Sequence, residues 1–141
     1  MSKKMIKIYS KIQKKKLLHQ IFDKNNLSKK RTNLCNDKEF LQAAFLNLKK
    51  RDKFRPHSHI WKKPRFKRTI AQESWFVLRG KILFYAYDID GKLLSKHVIK
   101  SGGFSFTFGG GHTYETLSNH TQLLEHKTGP YEGIKRDKIF I

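Results

Sequence analysis

Cysteine is almost missing. Cys35 stands alone among 141 residues, which excludes an internal disulfide framework and any four-cysteine zinc site. Acidic residues are scarce, 11 Asp and Glu against 31 Lys and Arg, for a formal net charge of +20. Proline occurs three times, and neither a low-complexity linker nor an internal repeat interrupts the chain. No apolar run approaches the ~20 residues that a membrane helix needs. The opening MSKKMIKIYSKIQKKK is positive but lacks the apolar stretch of about 7–15 residues of a secretory signal. These absences lead us to expect a soluble, cytoplasmic protein without membrane insertion. The length fits one domain of about the commonest size, roughly 100–150 residues, which can bury a core without staples.

What is abundant is lysine, and it is unevenly placed. Residues 1–70 hold 22 Lys and Arg against 4 Asp and Glu, and residues 71–141 hold 9 against 7. Such a basic half attracts polyanions. Yet 24 of the 31 cations are lysine, a point charge that reads base edges poorly beside arginine. No RNA-binding aromatic motif, zinc-finger spacing or basic zipper accompanies them. A general lysine-rich habit comes first, an anionic small ligand or surface second, and a basic nucleic-acid-associated protein third. No specific nucleic acid is expected.

Periodicity separates two regions. Within IQKKKLLHQIFD (12–23), Leu17, Leu18, Ile21 and Phe22 fall on one side of a short helix, opposite lysines. Asn25 and Asn26 are stop residues, and Asp37 could cap a second helical turn before Gln42. The N-terminal part, 1–36, therefore reads as a basic helical segment packed on a β domain spanning 37–141. From there the period is two: 43–50, 74–80, 81–88, 93–100, 104–108 and 121–127 are rich in aromatic and branched residues. Turn signals separate them, among them Asp88-Ile89-Asp90-Gly91, Ser101-Gly102-Gly103 and Gly109-Gly110-Gly111. Short strands at near-even spacing indicate a mainly β sandwich or barrel. The basic stretch 60–72 is the longest expected loop.

Histidines and one glutamate carry the chemical signal. His57 and His59 make an H-x-H pair, which on a strand presents both imidazoles to one face. Pro56 favours extended backbone at Arg55. Glu73 precedes Gly80 by a strand's length, and His112 follows three glycines. Imidazole nitrogens with one carboxylate oxygen suit a divalent first-row ion. Taken alone, the pair reads first as two surface or hydrogen-bonded histidines.

Taken together, H-x-H, Glu73, six residues and Gly80, followed by Thr107-Phe108-Gly109-Gly110-Gly111-His112, resemble the two motifs of the cupin superfamily. Thr107 stands where that family usually has proline. Thirteen residues separate His59 from Glu73, where the short form of the motif has only a few, and Lys62 to Arg68 would form a longer hairpin. Within the superfamily the chain looks most like small metalloproteins of the WbuC type, which often accompany surface-polysaccharide genes. That likeness rests on Arg31-Thr32-Asn33, Arg55-Pro56-His57-Ser58-His59, Gln72-Glu73, Tyr87-Asp88-Ile89-Asp90-Gly91, Gly109-Gly110-Gly111-His112, Lys127-Thr128-Gly129-Pro130-Tyr131 and Asp137-Lys138. It covers about residues 28–140. The resemblance implies a jelly-roll β-barrel holding one divalent transition metal ion (Fe, Mn, Ni, Co or Zn) on His57, His59, Glu73 and His112. It also implies a small polar or anionic ligand, such as a sugar or sugar nucleotide, with Tyr131, Arg55 and Lys138 as candidates to orient it.

Whether such a site turns over as an isomerase, epimerase or oxygenase, or only binds and senses a ligand, is open at this point, as is a homodimer. Asp88-x-Asp90-Gly91 opens like a calcium loop, but Ile99 takes the place of the closing glutamate, so it reads as a hairpin turn. No Lys-Ser/Thr follows the glycines, so they read as a turn rather than a phosphate cradle. Cys35 reads as a packed thiol.

Overall fold

A computed structural model describes residues 5–141 as a mainly β protein. Residues 1–4, the start of the expected N-terminal segment, lie outside the described residues. Strands β1 (Met5–Tyr9) and β2 (Leu17–Asp23) form an antiparallel hairpin. A single 3-10 turn over Lys24–Asn26 follows. Strands β3 (Arg31–Asn33) and β4 (Ala44–Leu46) make a second, short hairpin. Residues 47–72 carry neither strand nor helix. Then come β5 (Glu73–Arg79), β6 (Lys81–Tyr87), β7 (Leu93–Lys100), β8 (Gly103–Thr107), β9 (His112–Thr116) and β10 (Gln122–Lys127). A one-turn helix, α1 (Ile134–Asp137), stands near the end.

The strands stack in three layers. The middle layer is a five-stranded sheet in the order β1-β2-β8-β5-β10, and the second is a three-stranded sheet in the order β7-β6-β9. All their pairings are antiparallel. The third layer is the β3–β4 hairpin, on the other side of the middle sheet. Alternation assigns each side chain to a layer. On β6, Ile82, Phe84 and Ala86 are fully buried while their neighbours are not. They join Ile8, Ile21, Trp75 and Val77 between the two sheets. On the opposite face, Phe22, Phe104, Phe106 and Phe108 pack against Leu34, Cys35 and Phe45 of the hairpin layer. Burying one such aromatic side chain contributes about 1.5–3 kcal/mol. No closed barrel of hydrogen-bonded strands forms among the described residues.

The helix expected over 12–23 is not formed; its apolar part is β2, inside the five-stranded sheet. The reason is two-sided burial. Leu18, His19, Gln20, Ile21 and Phe22 are all buried, because β2 faces the second sheet on one side and the hairpin layer on the other. A strand covered on both faces shows no alternation, and a short apolar run of that kind fits a helix equally well. The helical turn expected at Asp37 is also absent. There Asn36 holds a tight turn, accepting from the Lys38 amide with its side chain and from the Glu39 amide with its carbonyl. The strand expected over 43–50 shortens to Ala44–Leu46, while β1, β3 and β9 were not foreseen. The strands over 73–79, 81–87, 93–100, 103–107 and 122–127 lie where alternation places them.

Asp88 is where two turns meet. Its amide donates to the Lys92 carbonyl, and its own carbonyl accepts from Gly91, so the Asp-x-Asp-Gly stretch is a hairpin turn. The Asp88 carboxylate accepts from Ser10 Oγ at 2.6 Å and from the Lys11 amide at 2.7 Å. That ties the β1–β2 connection to the β6–β7 turn.

Candidate functional site

The register of the middle sheet gathers polar side chains onto one row of its inner face. His19 lies opposite Thr107, and Thr107 lies opposite Glu73. Glu73 in turn pairs with Lys127, and Trp75 pairs with Glu125 one step along. Cross-strand partners share a face, so β2, β8, β5 and β10 all point polar groups at the second sheet. Phe104, Phe106 and Phe108 take the opposite face, leaving the small Ser105 and Thr107 to point inward. From across the gap, β9 brings His112, which stands opposite Ala86 in the second sheet.

There the Nε2 atom of His112 sits 3.8 Å from Glu73 Oε1. The other ring nitrogen, Nδ1, is 2.9 Å from Thr107 Oγ1. The indole of Trp75 covers the imidazole face to face, centroids 4.4 Å apart and planes within 5°. Its Nε1 donates to Glu125 Oε2 at 3.1 Å. Behind Thr107, His19 is completely buried, with Nδ1 3.0 Å from Thr107 Oγ1 and Nε2 3.0 Å from the Tyr87 carbonyl.

Burial sets the charges. Desolvation, then the Glu125 carboxyl beside it, pushes Glu73 up to about 7, with Lys138 and Lys127 opposing. A second carboxyl group beside the buried Glu73 favours the neutral form of Glu73 over a second negative charge. Desolvation, reinforced by His19 and the Lys138 ammonium, pulls His112 down to about 4. His19 is lowered as well, by desolvation above all. At neutral pH the imidazole of His112 is therefore uncharged, the form in which it offers a lone pair.

The structure brings together only part of the sequence-derived set. Glu73 and His112 meet. His57 and His59 are exposed in the segment 47–72 and stand on no strand. Their rings are 5.5 Å apart, and His57 Nδ1 bonds the Arg55 carbonyl at 2.9 Å. Among the described residues no group of three or more His, Cys, Asp or Glu is placed to hold a metal ion. The inner pair has donor chemistry that suits a divalent ion, but the four residues as placed do not make one coordination sphere.

Of the candidates for orienting a ligand, Lys138 acts electrostatically on both Glu73 and His112. Tyr131 lies under Lys127, the ammonium 4.3 Å from its ring centre. Lys127 also pairs with Asp137 at 3.0 Å. Arg55 stays with the exposed segment. Sequence reasoning missed His19, Trp75 and Glu125 as members of this cluster. The usable signal was Glu125-x-Lys127 on a strand pairing with Glu73. His19 gave none, because its strand was hidden.

Burial settles the reading of Cys35. Desolvation pushes the Cys35 thiol up to about 11, so it is a packed and unreactive group. Gln72 is buried, and its side chain accepts from the Leu41 amide while donating to Glu39 and to the Phe108 carbonyl. It fastens the hairpin layer to the start of β5. On that side of the middle sheet is an apolar cavity of about 560 Å³, lined among others by Leu34, Phe45, Phe76, Phe104 and His126. Compared with family models, with curated proteins and with solved structures, the chain finds no match. No described helix is long and apolar enough to cross a membrane.

Proposed function

We propose that this chain is a mononuclear metal-binding protein of the cupin type, which binds or acts on a small polar ligand between its two sheets. The observation that carries the reading is the Glu73–His112 pair. A carboxylate from one sheet and an imidazole from the other face each other at 3.8 Å in a water-poor gap, next to the Gly109–Gly111 turn. The sheet order lends support, because β9, which carries His112, is an edge strand. An edge strand offers unpaired backbone groups to another segment. Phe54 to Ile60, in no strand and exposed in the segment that leads to β5, has the length and pattern to lie along it. That would bring His57 and His59 to His112 and close the sheets toward a jelly roll. A bound divalent ion would supply Lewis acidity toward a ligand's carbonyl or hydroxyl oxygens. Lys138, and Tyr131 through Lys127, would orient an anionic group of a sugar or sugar nucleotide.

Elemental analysis of protein purified without a histidine tag tests this. One divalent transition ion per chain is expected, lost in Glu73→Ala and His112→Ala and reduced in His57→Ala and His59→Ala. Full metal content in both His57→Ala and His112→Ala would sink the metal reading. A second reading, a binding module that works without metal, is favoured by the apolar cavity on the far face of the middle sheet. Ligand binding that survives chelation and Glu73→Ala would select it.

A further inference from the structure

His112 has two ring nitrogens, and only one of them faces Glu73. Which of the two bears the proton decides what the site offers, a lone pair or an N–H. Hydrogen-bond bookkeeping along one buried row answers this. The Tyr87 carbonyl is an acceptor only, so His19 Nε2, 3.0 Å away, carries a hydrogen. A neutral His19 then has a bare Nδ1, and Thr107 Oγ1 at 3.0 Å must donate to it. Having given away its only hydrogen, Thr107 Oγ1 can only accept from His112 Nδ1 at 2.9 Å. His112 Nδ1 is therefore the protonated nitrogen, and Nε2 is bare toward Glu73. Neutrality of His19 follows from its surroundings. It is 0 % exposed, with the ring edge-on to Phe84, and burial disfavours its charged form.

We infer that His19 and Thr107 are positioning residues whose hydrogen-bond chain, anchored on the Tyr87 carbonyl, fixes the His112 tautomer so that its Nε2 lone pair faces Glu73. The anchor is itself built by the glycine turn. Tyr87 donates its amide to the Gly111 carbonyl at 2.8 Å and accepts from the Gly111 amide at 3.3 Å. Gly110 sits at φ +73°, where an added Cβ would strike the Tyr87 carbonyl oxygen. The Gly-Gly-Gly-His stretch thus positions His112 and also holds the acceptor that sets its proton. Thr107 is central to this. A proline there would have neither the hydroxyl to pass the polarity on nor an amide for the sheet. Partners of this kind fix ring orientation and tautomer of a ligating histidine, and in that respect the inference deepens the metal reading above. It does not depend on a metal being bound.

The test is two-bond proton–nitrogen correlation NMR on metal-free, histidine-labelled protein at neutral pH, which reports the tautomer of each ring. The expected result is Nε2–H for His19 and Nδ1–H for His112. Thr107→Val should release His112 into a mixture of tautomers, and Thr107→Ser should restore the wild-type pattern. Nε2–H at His112 in the wild type would overturn the inference, as would a Thr107→Val spectrum with the His112 tautomer unchanged. If Thr107→Val fails to fold, the wild-type spectrum alone still decides. A protein with the expected tautomer and no metal would sink the metal reading while leaving this one standing. If both hold, Thr107→Val should weaken metal binding by about 10–100-fold.

Discussion

Trp75 lies flat against His112, their ring planes 5° apart, while its indole N–H reaches Glu125 at 3.1 Å. One side chain from the middle sheet thus clamps an imidazole from the opposite sheet and a carboxylate from the neighbouring strand. Trp75→Phe keeps a stacking face and removes the donor. Glu125 is exposed and water can replace the indole, so the loss is the net contribution of one hydrogen bond, about 0.5–1.5 kcal/mol. We expect a lower urea midpoint by that amount, and a His112 ring that exchanges between environments in NMR. An unchanged midpoint would mean that Glu125 draws nothing from the indole.

Two titrations in this cluster pull stability in opposite directions. The His112 proton leaves at about 4 in the fold instead of the usual 6.5. The unfolded chain binds that proton more readily across the window, so this contribution is complete above 6.5 and is lost as pH falls toward 4. Glu73 is raised from 4.5 to about 7. Its contribution is complete below 4.5 and is lost as pH rises through 7. Above pH 6.5 only the second acts. Metal-free protein should therefore lose stability between pH 6.5 and 8, and Glu73→Gln should flatten that slope. Urea titrations at half-unit steps measure it, and a wild-type curve that stays level or climbs there would contradict the assignment.

Gly110→Ala strains the turn twice, through its φ of +73° and through the clash with the Tyr87 carbonyl. Strain at such a position costs on the order of 1–3 kcal/mol. Thermal unfolding should show the loss. Gly109→Ala, whose added Cβ meets the Leu18 side chain only at ordinary contact distance, should be nearly neutral. Equal effects at the two positions would remove the special role of Gly110.

Hydrogen exchange distinguishes the central strand from the exposed segment. Amides of β2 lie between β1 and β8 and should exchange as slowly as those of β8, since protection follows buried, hydrogen-bonded backbone. Residues 47–72 should exchange fast in metal-free protein. Under the proposed function, a divalent ion should slow the amides around His57 and His59. If β2 instead exchanges as fast as 47–72, the five-stranded sheet is not the resting arrangement.

The sequence by itself determined the β character of the second half. Alternation over Lys81–Tyr87 and the turns at Asp88–Gly91 and Gly109–Gly111 are local signals, written in neighbouring residues. It also singled out Glu73 and His112, through the resemblance of their surroundings to two motifs of a known superfamily. Local pattern failed at Leu17–Asp23, because a strand buried on both faces presents the same apolar run as a helix. The tertiary structure decided that His19 and Thr107 share a row with Glu73, since pairing register joins residues that no sequence window contains. It also decided that Trp75 and Glu125 complete the site and that His57 and His59 stand apart from it. A side chain's partners across a gap between sheets depend on how layers pack, and no single strand carries that information.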